Sequence, residues 1–343
     1  MNLSKAANVS IILFFTGVVL IYGQAFLIPF VLSVFIWFII REIKKFFRRS
    51  KYFRLFLPNW LENLIASMFL FAFISFFVSM LASNIESLSA NLDSYQTNLT
   101  NIADKLNVFF NINIMKQIND ISGGIKFTDI LSSTINAVSG LLGNVFIIII
   151  YVLFLFLEEL GFQDKLKAVF AHSQNGRSVF SIIDKIDHSI GQYLVLKTIV
   201  SLLTGVLSFV AMKIIGVDAA VFWAFLIFIM NFIPNIGSLI ATLFPAIFAL
   251  LQFGEFGPAI WVLVIVAAVQ LLVGNIVEPK IMGNSLNLSS LVVILALSLW
   301  GALWGITGMV LSVPITVVML IVFSEFTITK PIAILLSEKG KID

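Results

Sequence analysis

The stretch Asn231–Pro245 reads NFIPNIGSLIATLFP and lies inside a run, Ala219–Gly254, that carries no charged side chain. Two asparagines, a proline and a glycine fall within seven residues of that run. Pro234 removes a backbone donor and frees the carbonyl one turn earlier, while Gly237 permits an abrupt change of direction. In hydrocarbon an unpaired backbone group is costly, so such a break persists only against protein or a wet cavity. Two readings are open. One is a proline-kinked hairpin tip whose asparagines cap helix ends. The other is a discontinuous helix whose free carbonyls and amides, with Asn231 and Asn235, hold a polar solute.

A second cluster, VQLLVGNIVEPKIMG (Val269–Gly283), places Gln270, Asn275, Glu278 and Lys280 at the end of an apolar run, with Pro279 between the two charges. A carboxylate near membrane depth suggests ion or proton handling. The alternative is that Glu278 marks the end of a span and pairs with Lys280 or a neighbouring helix terminus. A third cluster, LWGALWGITGMVLSVP (Leu299–Pro314), puts Gly301, Gly305 and Gly308 on one side of a helix. Small residues at that spacing let helices approach closely, so packing and hinge roles are expected.

No catalytic arrangement is present: there is no GxSxG, HExxH or GxxxxGK[ST], and the membrane-level Ser and Thr have no partner base. Those hydroxyls are expected to bond back to their own helices. His172 and His188 stand sixteen apart without a carboxylate cluster, and there is no cysteine, so neither metal nor cofactor is expected. The chain is read as a non-enzyme.

The elements that must position these clusters follow from composition. The chain is 60% hydrophobic and 11% charged, with mean hydropathy +1.07, against about 25% charge in a soluble domain. The apolar runs are long and do not alternate, which excludes a barrel and predicts an all-α polytopic membrane protein. Ala219–Gly254 as one straight helix would measure roughly 50 Å against a hydrocarbon core of about 30 Å. With breakers near the centre of each long run, about eight transmembrane segments are expected, some broken or paired as hairpins.

Arg41–Arg54 holds seven basic residues against one acid, and 84–140 holds three against five. The first should face the cytoplasm and the second the outside. Lys330, Lys339 and Lys341 suit a cytoplasmic C-terminus. In the outer segment Ile85, Leu88, Leu92, Tyr95, Leu99, Ile102, Leu106 and Phe109 alternate spacings of three and four, a heptad seam. It could fold on its own Ile112–Ile135 partner or pack against copies of itself. Phe180, Ile183, Ile186, Ile190 and Tyr193 fall at helical spacing and predict an amphipathic surface helix.

At the three clusters the sequence resembles the autoinducer-2 exporter (AI-2E) family of bacterial membrane proteins. The matching residues are Asn231-Phe-Ile-Pro234-Asn-Ile-Gly237, then Pro245 and Ala249; Gln270, Asn275, Glu278-Pro279-Lys280 and Met282-Gly283; and Trp300-Gly301, Gly305, Gly308 and Pro314. Gly191-Gln192 is a weaker match, and Ser290 stands where the family often has proline. The order of spans extends the likeness over nearly the whole chain, although the N-terminal half matches only in layout. The resemblance implies a secondary transporter of the inner membrane with both termini cytoplasmic. It also implies a homo-oligomer within the lipid bilayer. The expected partners are a small polar solute such as autoinducer-2, with a proton or sodium ion, and no nucleic acid.

On this reading Asn231, Asn235, Gln270 and Asn275 bind solute, and Glu278 couples an ion. Pro234, Gly237, Pro245, Pro279, Gly305 and Gly308 break or hinge helices. A sodium (lithium)/proton antiporter and a non-transporting oligomeric scaffold are the alternatives. The expected division is 1–83 for an N-terminal hairpin, basic loop and third span, and 84–140 for an extracytoplasmic helical domain. Residues 141–197 form a fourth span and cytoplasmic helix, 198–325 a transport core with broken helices, and 326–343 a cytoplasmic tail.

Overall fold

The computed structural model describes residues 3–48, 59–110, 143–170, 176–282 and 287–340, with isolated positions between 132 and 140. Arg49–Arg54, Leu106 and Phe109 as side chains, most of Ile112–Ile135, His172 and Gly283 lie outside the described residues. Those described are helical apart from turns and one isolated bridge between Leu288 and Ser337. Among the described residues, five helices are long and apolar enough to cross a membrane, and six if the bent Val145–Phe170 pair counts as one span. The all-α membrane reading therefore stands.

The chain divides into two units. The first contains residues 1–70, 144–196 and 284–343. Its elements are α1 (Leu3–Tyr22), α2 (Gln24–Arg48), the start of α3 (Asn59–Ala90), α5 (Val145–Phe170), the first half of α6 (Gly176–Ile215), α11 (Ser290–Glu325) and α12 (Lys330–Leu336). The second contains residues 71–143 and 197–283. It holds the rest of α3 and α6, with α4 (Leu92–Phe110), α7 (Ala220–Met230), α8 (Ile236–Phe253), α9 (Phe256–Leu272) and α10 (Glu278–Met282). The expected surface helix around Ile183 and the following span are one helix of 40 residues, since nothing between Gly176 and Ile215 breaks it.

In the first unit, Ile40 of α2 packs with Ile148, Val152 and Phe156 of α5. Arg41 then ties three helices together. Its guanidinium bonds Asp187 of α6 at 2.6 and 3.3 Å, pairs with Glu159 of α5 at 3.2 Å, and lies 4.6 Å over the Trp37 ring. The planar fork of arginine suits such shared recognition better than a lysine would.

The helix α11 is not continuous. Trp304 (φ −126°) and Gly305 (φ +60°, ψ −142°) leave helical geometry. Unbroken, its 36 residues would span about 54 Å, beyond the reach of α12 and its short link. Yet Ser289 N–H donates to Leu336 O at 3.0 Å and Glu338 N–H to Asn287 O at 3.2 Å. The chain must therefore reverse near Trp304. This corrects the placing of Gly301, Gly305 and Gly308 on one side of a single helix. Gly301 and Gly308 instead line the facing arms of a hairpin, and Gly305 is its turn. Trp304 Nε1 donates to Leu20 O at 2.9 Å, fixing the tip to the end of α1.

The second unit contains a comparable hairpin, α7–α8. Gln252, near the end of α8, donates to Gly216 O at 2.9 Å and accepts from Asp218 N–H at 2.7 Å. Both ends of the hairpin thus meet. With 11 residues α7 is about 16 Å long, and α8 with 18 residues is about 27 Å, so the two arms are unequal.

Three positions of the heptad seam are buried within the chain, and one of them meets α8. Leu88, Tyr95 and Ile102 are buried within this chain, and Tyr95 packs edge-on to Phe248 of α8 at 5.1 Å. Asn98 Nδ2 donates to the carbonyls of Leu251 and Gln252, both at 2.9 Å, supplying donors that the end of α8 lacks. Those seam positions are covered by the chain itself.

Tyr95 also donates to Asp218 Oδ2 at 3.1 Å. Burial, and then the neighbouring Asp218 carboxylate, push the phenol well above its usual value. The sign follows: the raised value adds stability below about pH 10 that is lost as pH rises beyond it. In an ultraviolet titration of the five tyrosines, one is expected to stay un-ionised until alkaline unfolding. Tyr95→Phe should remove that latent titration; five ordinary tyrosines in the wild type would contradict the packing described.

Candidate functional site

Four buried polar side chains of the second unit share one face of α6. Lys197, Ser201, Thr204 and Ser208 recur at spacings of four, three and four, and all four are buried. On the other side Ile199, Leu202, Val206, Val210 and Ile214 are exposed and apolar, a face suited to lipid. The stripe is met by residues from two other elements. Asn231, at the end of α7, donates from Nδ2 to Ser201 Oγ at 3.0 Å. Glu278, at the start of α10, pairs with Lys197 through Oε1. Since Lys197 and Ser201 are one turn apart, these two contacts stand about 6 Å apart along α6.

The local backbone explains how they arrive there. After Met230 the chain makes short-range turns, Phe232 N–H to Ile229 O and Ile233 N–H to Met230 O, before α8 begins. Asn235 takes φ +60° and makes no side-chain cap bond, so the capping role is not what its amide performs. Gly237 sits so near the Met230 carbonyl that a Cβ would overlap it. Pro245 is buried within α8 and cannot donate to the carbonyl of Ala241. Between α9 and α10, Val273–Val277 forms a π-helical turn, a feature that often marks functional sites.

The expected site residues therefore separate. Asn231 and Gln270 are buried, whereas Asn235 and Asn275 are exposed. Glu278 pairs with neither of the partners expected for it; Lys197, 81 residues away, takes the carboxylate. Pro234 is half-buried at the tip and Pro279 is exposed after the π turn. Gly308 is buried and Gly305 exposed. Of the buried hydroxyls of the α6 stripe, Thr204 bonds back to its own helix, to Val200 O at 2.9 Å. Among the described residues the buried Thr198 Oγ1, Ser208 Oγ, Trp223 Nε1 and Gln270 Nε2 have no partner. Each costs roughly 1–3 kcal/mol when unpaired. All four can donate, so the complement they lack is an acceptor oxygen or nitrogen. The α6 stripe was missed from sequence, although its helical spacing was there to be read.

Long apolar helices define a multi-pass membrane protein. A family model, AI-2E family transporter, matches residues 9–328. The chain is 31% identical over 337 residues to a Haemophilus influenzae protein named "Putative transport protein", covering 96% of this chain and 94% of that one. It is also 31% identical over 326 residues to the AI-2 transport protein TqsA of Escherichia coli K12, covering 93% and 92%. The protein belongs to the AI-2E transporter family and is a membrane transporter.

Proposed function

We propose that the protein is a secondary transporter that exports a small polar solute across the bacterial cytoplasmic membrane, with both its termini on the cytoplasmic side. A furanone signal of the autoinducer-2 type is the first solute to test, because a relative 31% identical over most of both chains carries that name. The observation that carries this reading is the buried α6 stripe with Asn231 on it and unpartnered donors in the same unit. A neutral, oxygen-rich solute offers the acceptors those donors lack, and Asn231 and Gln270 are its main contacts. Asn235 and Asn275, both exposed, serve entry or release. Pro234, Gly237 and Pro245 shape one hairpin, and Gly305 and Gly308 the other. Pro279 closes the π turn ahead of α10. Family likeness also supports a homo-oligomer.

The test is efflux of labelled solute from proteoliposomes. Asn231→Leu and Gln270→Leu each remove hydrogen bonds while keeping a branched side chain of similar reach, so each should slow flux about tenfold, the equivalent of one or two hydrogen bonds. Unchanged flux in both variants, with the wild type active, would remove these residues from the path.

A further inference from the structure

The Lys197–Glu278 pair is lopsided. The lysine side chain is 7% exposed and the carboxylate 24%. A buried ammonium is strongly disfavoured without a partner, so Lys197 depends on Glu278 more than Glu278 depends on Lys197. The backbone beside the carboxylate is also unusual. Glu278 N–H donates to Val273 O, five residues back. The next residue, Pro279, has no N–H to give. The carbonyl of Gly274 is therefore left without either donor that a helix could offer it. A carboxylate and a donor-free carbonyl on one turn are hard oxygen ligands, the kind that alkali cations take. The single positive charge that such a pair invites is already supplied by the chain.

We infer that the Lys197 ammonium is a tethered substitute for an alkali cation at Glu278, and that Lys197 is the residue that makes this protein independent of sodium. In this form the ion-coupling role of Glu278 is internal: its counter-charge moves with α6 instead of exchanging with the solution. Removing the ammonium should leave a carboxylate and the Gly274 carbonyl open to sodium or lithium. The inference extends the transport reading, but a thermal readout tests it without any solute.

The chain contains no cysteine, so Lys197→Cys introduces a unique thiol. The purified full chain is melted in sodium chloride and in choline chloride of equal ionic strength. The wild type should melt alike in both. The Lys197→Cys variant should melt about 5 °C higher in sodium, as expected for a ligand well above its dissociation constant. Treatment with 2-aminoethyl methanethiosulfonate, which restores an ammonium, should erase the difference; methyl methanethiosulfonate should not. Lys197→Cys with Glu278→Gln should show none. Equal melting of Lys197→Cys in both salts overturns the inference, as does a sodium effect that survives Glu278→Gln. Failure of Lys197→Cys to fold in sodium also overturns it, whether or not Glu278→Gln restores folding, because the freed carboxylate has then taken no cation. A protein that carries no solute yet follows the expected pattern keeps this inference and loses the transport reading.

Discussion

Gly237→Ala is expected to abolish flux and to lower the melting temperature by about 5–10 °C. The added methyl would fall on the Met230 carbonyl oxygen, with the Met230 carbonyl carbon at 2.8 Å and Ile233 Cβ at 3.0 Å. The first two are backbone atoms at the end of α7 and have no rotamer to turn away. Relief requires α7 and α8 to part at their tip, which pulls Asn231 from Ser201. Overpacking of this kind costs about 3 kcal/mol. Thermal melting and solute flux on the same preparation check it. An alanine variant that melts within about 2 °C of the wild type would mean the tip has room that this geometry denies.

The second large effect is expected at Gly308, and its contrast with Gly301 makes the test specific. A Cβ on Gly308 would overlap the Trp300 carbonyl oxygen and approach the Trp300 carbon to 2.7 Å and Trp304 Cβ to 2.9 Å. A Cβ on Gly301 would meet Met309 Cε at 2.9 Å and Cγ at 3.0 Å. The first obstacle is main chain, whereas the second is a flexible thioether that readily repacks. Gly308→Ala should therefore cost about 3 kcal/mol and Gly301→Ala under about 1 kcal/mol. Equal destabilisation of the two, measured by melting, would show that the arms of α11 do not face each other in this register.

Several features of the fold were legible because one local signal sufficed for each. Pro234 with Gly237, and Trp304 with Gly305, break helices through their own backbone chemistry, so both hairpin turns could be marked in advance. The spacing of Leu88, Tyr95 and Ile102 shows which face of α3 and α4 is apolar. Period carries no information about what covers that face; at Tyr95 it is Phe248 of α8. The glycine cluster failed for a related reason. Three glycines share a side only while the helix continues, and it stops at the residue between them.

The candidate polar residues were legible by type but not by placement. Asn231 and Gln270 are buried, while Asn235 and Asn275 are exposed. Both members of each pair look alike in sequence, because burial depends on the neighbours each side chain meets. Lys197 reads as the end of a charged stretch, yet it is the buried partner of Glu278. Ser201 and Ser208 read as ordinary membrane-level serines whose helix would satisfy them. Neither bonds back to its own helix, and the pairing of Ser201 with Asn231 emerges only once α6 is packed.

By itself the amino-acid order determined the solvent this chain requires, the length of its apolar runs and the breaks near Pro234 and Gly305, since each depends on residues within a turn or two. Pro245, by contrast, stands inside an unbroken α8. Only tertiary structure decided which polar side chains meet: Asn231 with Ser201 thirty residues away, Glu278 with Lys197 eighty-one away, and Asn98 with the end of α8. The physical reason is that a buried polar group is worth little or much according to the partner facing it, and that partner is chosen by packing between distant helices.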